Sequence, residues 1–110
     1  MRGKSSDVVQ GTLDMLVLKT LALEPMHGYG ISVRIEQMSM GVFRPNAGSL
    51  FLAIQRLQRA GLIDGEWKAT ENNRRGRYYV LTKKGRQRLN SETREWGRQA
   101  AAIARILEAS

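Results

Sequence analysis

The chain has no cysteine and only one histidine, and these two shortages exclude whole classes of function. Without thiols there is no disulfide staple and no thiolate zinc site, and one histidine cannot supply a histidine-based metal cluster. The absence of cysteine suits a reducing cytoplasm. Long apolar runs are missing too. Arg2 and Lys4 precede an apolar stretch in the manner of a signal peptide, but Asp7, Asp14 and Lys19 interrupt it, and Met15–Leu18 is its longest strongly apolar run. Neither export nor a membrane span is expected. Repeats, low-complexity tracts and linkers are absent as well. The expectation for 110 residues is one compact cytoplasmic domain, small enough to gain much by pairing with a second copy.

Acidic residues are scarce in one place. Between Trp67 and Arg88 stand Lys68, Arg74, Arg75, Arg77, Lys83, Lys84, Arg86 and Arg88 against the single acid Glu71, so this fifth of the chain carries +7 of the net +8. The charge is therefore a patch. Folded around two tyrosines and two turn-prone asparagines, it is the footprint expected where a protein meets a phosphate backbone. The bland alternative is a solvated basic surface, but Arg74, Arg75 and Arg77 crowd one predicted turn instead of spreading over a helix face.

The apolar pattern divides the chain into elements. Leu13, Leu16, Val17 and Leu21 recur at three and four and predict a helix over Thr12 to Leu23, ended by Pro25. His27-Gly28 makes a turn. A second helix follows over Tyr29 to Met38, with Ile31, Ile35 and Met38 on its buried stripe and Gly41 closing it. Asn46 caps a third, whose Ala47, Leu50, Ile54 and Leu57 share one face and which Gly61 stops after Arg59. Three short helices joined by tight turns predict a helix-turn-helix.

After Gly61 the period changes. Leu62 to Lys68 and Arg77 to Leu81 carry β-prone residues, and Ala69 to Gly76 between them is rich in turn formers, which predicts a two-stranded wing. Thr82 caps a last helix reaching about Ala109, in which Leu89, Thr93, Trp96, Ala100, Ile103 and Leu107 are spaced at alternating fours and threes. That is a heptad seam. So long a stripe exceeds the needs of one small domain, and part of it is expected to face a second copy. The fold class is thus mainly α with a small β wing: a winged helix-turn-helix plus one long C-terminal dimerisation helix.

Candidate binding residues follow from the third helix. At about 100° per residue, Gly48, Leu52, Gln55, Arg56 and Arg59 lie opposite its core stripe, with Ser49 at the margin. These side chains are free to enter a major groove. Gln55 suits adenine, Arg56 or Arg59 suits guanine or phosphate, and Leu52 suits a thymine methyl, although a single exposed leucine is also ordinary. Asn46, Ser49 and the first-turn amides are candidates for a phosphate at the helix start. On the wing, Lys68, Arg74, Arg75 and Arg77 are candidate phosphate or minor-groove contacts, while Tyr78 and Tyr79 alternate, so one should pack inward and one outward. Leu89, Trp96, Ala100, Ile103 and Leu107 are the expected dimer interface. Two roles stay open for Trp67 and Trp96: packing in the core or dimer, or clamping a planar ligand near the seam.

Catalysis finds no support. His27 has no partnering Ser, Asp or Glu motif and suits a turn's backbone. Glu92 and Glu95 lie among Arg94 and Arg98 like a solvated helix face. Gly28-Tyr29-Gly30 follows a helix and lacks the downstream Lys-Ser or Lys-Thr of a phosphate loop.

Taken together, Gly11-Thr12-Leu13 with Leu16-Val17-Leu18, Pro25-Met26-His27-Gly28-Tyr29, Gly48-Ser49-Leu50, Arg56-Leu57 with Gly61-Leu62-Ile63, Glu66-Trp67, Arg77-Tyr78-Tyr79, Leu81-Thr82 and Gly85-Arg86 resemble the PadR-like family of bacterial transcription regulators. The resemblance covers about Thr12 to Leu89. It implies a winged helix-turn-helix dimer that represses transcription, often of export or stress genes, until a small molecule releases it. The single tail helix resembles the compact branch, some members of which line a drug-accepting cavity between subunits with an aromatic residue; Trp96 falls at a suitable place. One departure concerns the recognition helix. Phe51 and Leu52 follow Gly48-Ser49-Leu50 where the family usually has Tyr-Pro, so DNA affinity or specificity is expected to differ.

The leading expectation is a sequence-specific regulator of double-stranded DNA, a homodimeric repressor with residues 1–82 as DNA-binding domain and 83–110 as dimerisation helix. A small planar effector is a further expected partner; no membrane, cofactor or catalysis is implied. Two rivals stand beside it: a winged-helix protein-interaction module with degraded DNA binding, and a drug-binding dimer built around Trp67 and Trp96.

Overall fold

The computed structural model describes the backbone of residues 2–69 and 75–110, and the side-chain surroundings of residues 11–69 and 76–110. Its elements are α1 (Arg2–Leu23), β1 (Met26–His27), α2 (Gly28–Met38), α3 (Ala47–Arg59), β2 (Ile63–Ala69), β3 (Arg75–Leu81) and α4 (Lys83–Glu108). Helix α1 begins ten residues before the predicted start. The stretch it adds has no apolar period, and helix propagates into such a stretch because each added residue gains one bond without a new nucleus.

The main correction is a third strand. Met26 and His27 pair antiparallel with Tyr79 and Tyr78, so the sheet order is β1-β3-β2 where a two-stranded wing was expected. Two residues are too short to show a period. His27 does more than turn the chain: its Nδ1 accepts the Gly30 amide at 3.0 Å and so caps α2. Strands β2 and β3 run in register from Ile63 opposite Leu81 to Ala69 opposite Arg75. The tip of the predicted loop lies outside the described residues.

One core fills the space between the helices and the sheet. Leu13, Val17, Leu18 and Leu21 of α1 meet Ile31 and Ile35 of α2, Leu50, Ala53, Ile54 and Leu57 of α3, and Met26, Leu62, Ile63 and Leu89 from the sheet side and α4. Thr20 is buried among them and donates its hydroxyl to the Leu16 carbonyl at 2.8 Å, leaving no buried polar atom unsatisfied at that position. Two expectations fail here. Met38 is half-exposed instead of buried, because α2 ends at that residue beyond the reach of the core. Leu89 is only 6% exposed within the single chain, so it serves this core and not a seam between copies. Tyr79 packs against the core while Tyr78 lies beneath Lys68 on the other side of the sheet, the alternation that adjacent strand positions require.

The helix ends are chemically specified. At the end of α3, Leu62 donates to the Leu57 carbonyl at 2.9 Å and Gly61 to Gln58 at 3.0 Å, with Gly61 at φ 76°. That is the left-handed stop that glycine accepts without strain. After α2 two successive residues are left-handed, Met40 at φ 54° and Gly41 at φ 81°, and the Gly41 amide closes the helix as expected by donating to the Glu36 carbonyl at 2.9 Å. At α4, Thr82 caps as predicted, its hydroxyl accepting the Gly85 amide at 2.9 Å.

Gly85 allows α4 to touch the sheet. A Cβ there would collide with the Leu62 carbonyl and the Leu81 side chain, and a backbone carbonyl cannot swing away as a side chain can. Gly85→Ala is therefore expected to destabilise the fold by about 3 kcal/mol, the upper end of overpacking. Gly97→Ala, where an added Cβ meets nothing within 4 Å, should gain up to about 1 kcal/mol of helix propensity. Urea unfolding of both variants measures the contrast, and equal midpoints would contradict the close approach.

Candidate nucleic-acid interface

Helix α3 is built to show one side to solvent. Its core stripe of Leu50, Ala53, Ile54 and Leu57 faces α1, α2 and β2, which leaves Gly48, Leu52, Gln55 and Arg59 pointing away at about 100° per residue. Gly48 is exposed, and only Asn46 Oδ1, at 3.4 Å, would lie near a Cβ there. Leu52 is 55% exposed, Arg59 is exposed and Gln55 is half-buried. Phe51, 58% exposed, stands on the flank of this face.

Three candidates have partners within the chain. Asn46 Oδ1 accepts the Ser49 amide at 2.8 Å, so this side chain caps the helix, and the Ser49 N–H is committed to that bond instead of to a phosphate. The Ser49 side chain lines a small apolar cleft with Thr12, Leu13, Leu16, Phe43 and Pro45. Arg56 lies on the same flank and grips Asp14 of α1 with two nitrogens, Nη2 to Oδ1 at 2.7 Å and Nε to Oδ2 at 3.4 Å. The pair is about three-quarters shielded from water. Arg56 was expected to point into a groove; the carboxylate turns it back against α1 because a two-pronged charged bond outweighs solvation at a half-buried site.

The wing supplies charge beside α3. Lys68 Nζ sits 5.5 Å from the centre of the Tyr78 ring, and the Arg77 guanidinium lies 5.3 Å from that of Trp67. Such stacking orients a cation without neutralising it. Gly65, on the strand facing Arg77, leaves the room: an added Cβ would come within 2.5 Å of Arg77 Nε. Arg74 lies outside the described residues, as does the side chain of Arg75. Lys84 spends its ammonium on the Ala60 carbonyl at the end of α3 (2.9 Å), a role the sequence did not suggest. Arg88 faces Glu92 at 3.8 Å.

A second open surface lies on α4. Beyond Leu89 its apolar residues are uncovered: Trp96 is 53% and Ile103 55% exposed, and Leu107 still more. Trp96, Ala100 and Ile103 line an open groove of about 510 Å³ with Gly11, Thr12 and Met15 of α1, and Glu92, Glu95 and Gln99 complete it. Trp67 is not among the lining residues. It stands on the wing under Arg77, so the two indoles expected to share a ligand site are not brought together. Among the described residues no cluster of three or more His, Cys, Asp or Glu side chains is placed to hold a metal ion, and no helix is long and apolar enough to cross a membrane.

Against this geometry stands a match between residues 17–91 and the model of the transcriptional regulator PadR-like family. The chain belongs to that family. PadR-like proteins are DNA-binding transcription regulators and not enzymes, and the winged helix-turn-helix agrees with that family. Among solved structures, a transcriptional regulator from Clostridium thermocellum superposes with a TM-score of 0.84 at 26% identity over 94% of this chain and 97% of its own. A PadR family transcriptional regulator from Eggerthella lenta gives 0.81 at 27% identity, over 99% and 93%. Protein X of Lysinibacillus sphaericus is 25% identical over 103 residues, 94% of each chain. The PadR-like match runs from the last turns of α1 to just past Leu89, so it takes in α2, α3 and the sheet and leaves most of α1 and of α4 outside.

The Asp14–Arg56 link is open to test. Asp14→Ala and Arg56→Ala are each expected to lower the unfolding free energy, and the double variant to fall short of their sum by about 1 kcal/mol, as a partly shielded pair should. Additive losses in urea melts would mean that the two residues do not hold each other.

Proposed function

We propose that the chain acts as a homodimeric, sequence-specific repressor of double-stranded DNA, with residues 1–82 as the binding unit and 83–110 as the dimerisation helix. The observation that carries this reading is the outward face of α3, open to solvent next to a basic wing while the rest of the helix is locked into the core. Leu52, Gln55 and Arg59 enter the major groove. Lys68, Arg74, Arg75 and Arg77 hold phosphates beside it, and Asn46 and Ser49 contribute by fixing the first turn of α3. Arg56 acts by bracing α3 against α1.

Trp96, Ala100, Ile103 and Leu107 meet their copies across a two-fold axis, which supports paired half-sites because a C2 interface sets two recognition helices at a fixed spacing. The groove beside Trp96 supports a second role, reception of a small planar effector. Indole, Met15 and Ile103 offer apolar surface for a flat ligand, while Glu92 and Glu95 at its edge are paired with Arg88 and Arg98. Trp67 has no part in this site.

Duplex titration across salt concentrations, with sedimentation alongside, tests the proposal. Wild-type protein should sediment as a dimer and lose affinity for a palindromic site with a log–log slope of roughly −0.9 per phosphate neutralised. Ile103→Asp places a charge on both sides of the axis, so it should give monomers at micromolar concentration and about half that slope. Wild-type monomers, or affinity independent of salt, would overturn the reading.

A further inference from the structure

Phe51 and Leu52, both more than half exposed, stand side by side on the early turns of a helix whose core stripe has no room for them. Along the outward face the order is a bare glycine, Leu52, the amide of Gln55 and only then the cation of Arg59. On one flank Phe51 extends the apolar surface. On the other, Arg56 is withdrawn by Asp14. The centre of the N-terminal half of the face thus carries no side-chain donor for the O6 and N7 acceptors of guanine; the hydroxyl of Ser49 and the amide of Asn46 stand at its margin. What it offers is a surface that gains by losing water.

In the major groove only one kind of base substituent matches such a surface. Thymine presents a C5-methyl group there, whereas guanine, adenine and unmodified cytosine present donors and acceptors. Gln55 lies three residues after Leu52, an axial advance of about 4.5 Å along the helix, comparable with one base-pair step of about 3.4 Å. An amide at that place forks onto adenine N6 and N7. Gly48, lacking a side chain, lets the helix start approach the groove wall.

We propose that Phe51 and Leu52 form a reader of pyrimidine C5-methyl groups, occupied in the operator by thymine, with Gln55 taking adenine in an adjoining pair. Each half-site then centres on neighbouring A·T pairs, and its methyl groups carry the main sequence signal. The inference rests on the DNA-binding reading above and adds what that reading leaves open, the chemistry that selects the site.

The test uses the full chain and a duplex recovered by it from a random pool. Thymines at the most constrained half-site positions are replaced singly by uracil, which removes the methyl and keeps every hydrogen-bonding group. Affinity should fall about fourfold for each methyl that is read, the equivalent of one buried methylene. Placing cytosine and then 5-methylcytosine at the same position should show a gain of similar size from the methyl alone. Leu52→Ala and Phe51→Ala, both at exposed positions and therefore expected to fold, should bind thymine and uracil duplexes alike. Equal wild-type affinity for thymine and uracil duplexes would overturn the proposal, as would recovery of sites without A·T pairs. So would a Leu52→Ala protein that keeps full affinity and discrimination, a result that assigns the patch to a protein contact. Failure of the wild type to bind any duplex at low salt is a different result, since it removes the DNA-binding reading itself.

Discussion

One hydroxyl ties the three working parts of this molecule together. Thr82 Oγ1 accepts the Gly85 amide at 2.9 Å and donates to the Gly61 carbonyl at 2.8 Å, while the Thr82 amide donates to the Leu62 carbonyl at 3.1 Å. Gly61 ends α3, Leu62 leads into β2, and Gly85 starts the close packing of α4 against that same carbonyl. Lys84 adds its ammonium to the Ala60 carbonyl at 2.9 Å, where cations are favoured at the end of a helix. The recognition helix, the wing and the long helix therefore meet within a few residues. In the proposed dimer, a loose linker at this point could not hold two half-sites at one spacing.

The core explains why two surfaces are left open. With Leu89 it takes in the beginning of α4, and nothing later in that helix reaches it, so Trp96, Ile103 and Leu107 remain on the surface. Helix α3 shows the reverse economy: four residues anchor it, Arg56 braces it, and the remainder faces outward. Helix α1 touches both, since Asp14 holds Arg56 while its neighbour Met15 lines the groove beside Trp96. Helix α1, which forms one wall of the proposed effector site, thus also grips the helix proposed to read DNA.

Much of this was legible in the residues because the signals were local. The caps at Asn46 and Thr82 and the glycine stop at Gly61 each follow from one turn of chain and stand where they were read; of the α3 stripe Leu50, Ile54 and Leu57 hold, while Ala47 in the first turn is exposed and Ala53 takes its place in the core. What escaped was settled by partners distant in sequence. Met26 and His27 form a strand only because Tyr78 and Tyr79 lie alongside, some fifty residues later. Arg56 looked free on a helical wheel, and Asp14, 42 residues earlier, decides otherwise. A wheel could place Trp67 and Trp96 on their elements but could not bring two elements together. For the candidate site the outward stripe of α3 was readable, whereas Arg74 and the side chain of Arg75 lie outside the described residues.

Native-state hydrogen exchange on Thr82→Val tests the central claim most directly. Valine keeps the shape and removes the hydroxyl, so loss of both its bonds should cost about 2 kcal/mol. If the junction binds the parts into one body, protection should fall together, and by the same amount, in the last turn of α3, in β2 around Ile63 and in the first turns of α4. Loss of protection confined to the first turn of α4 would show that the three elements hold without the junction, and would contradict the account.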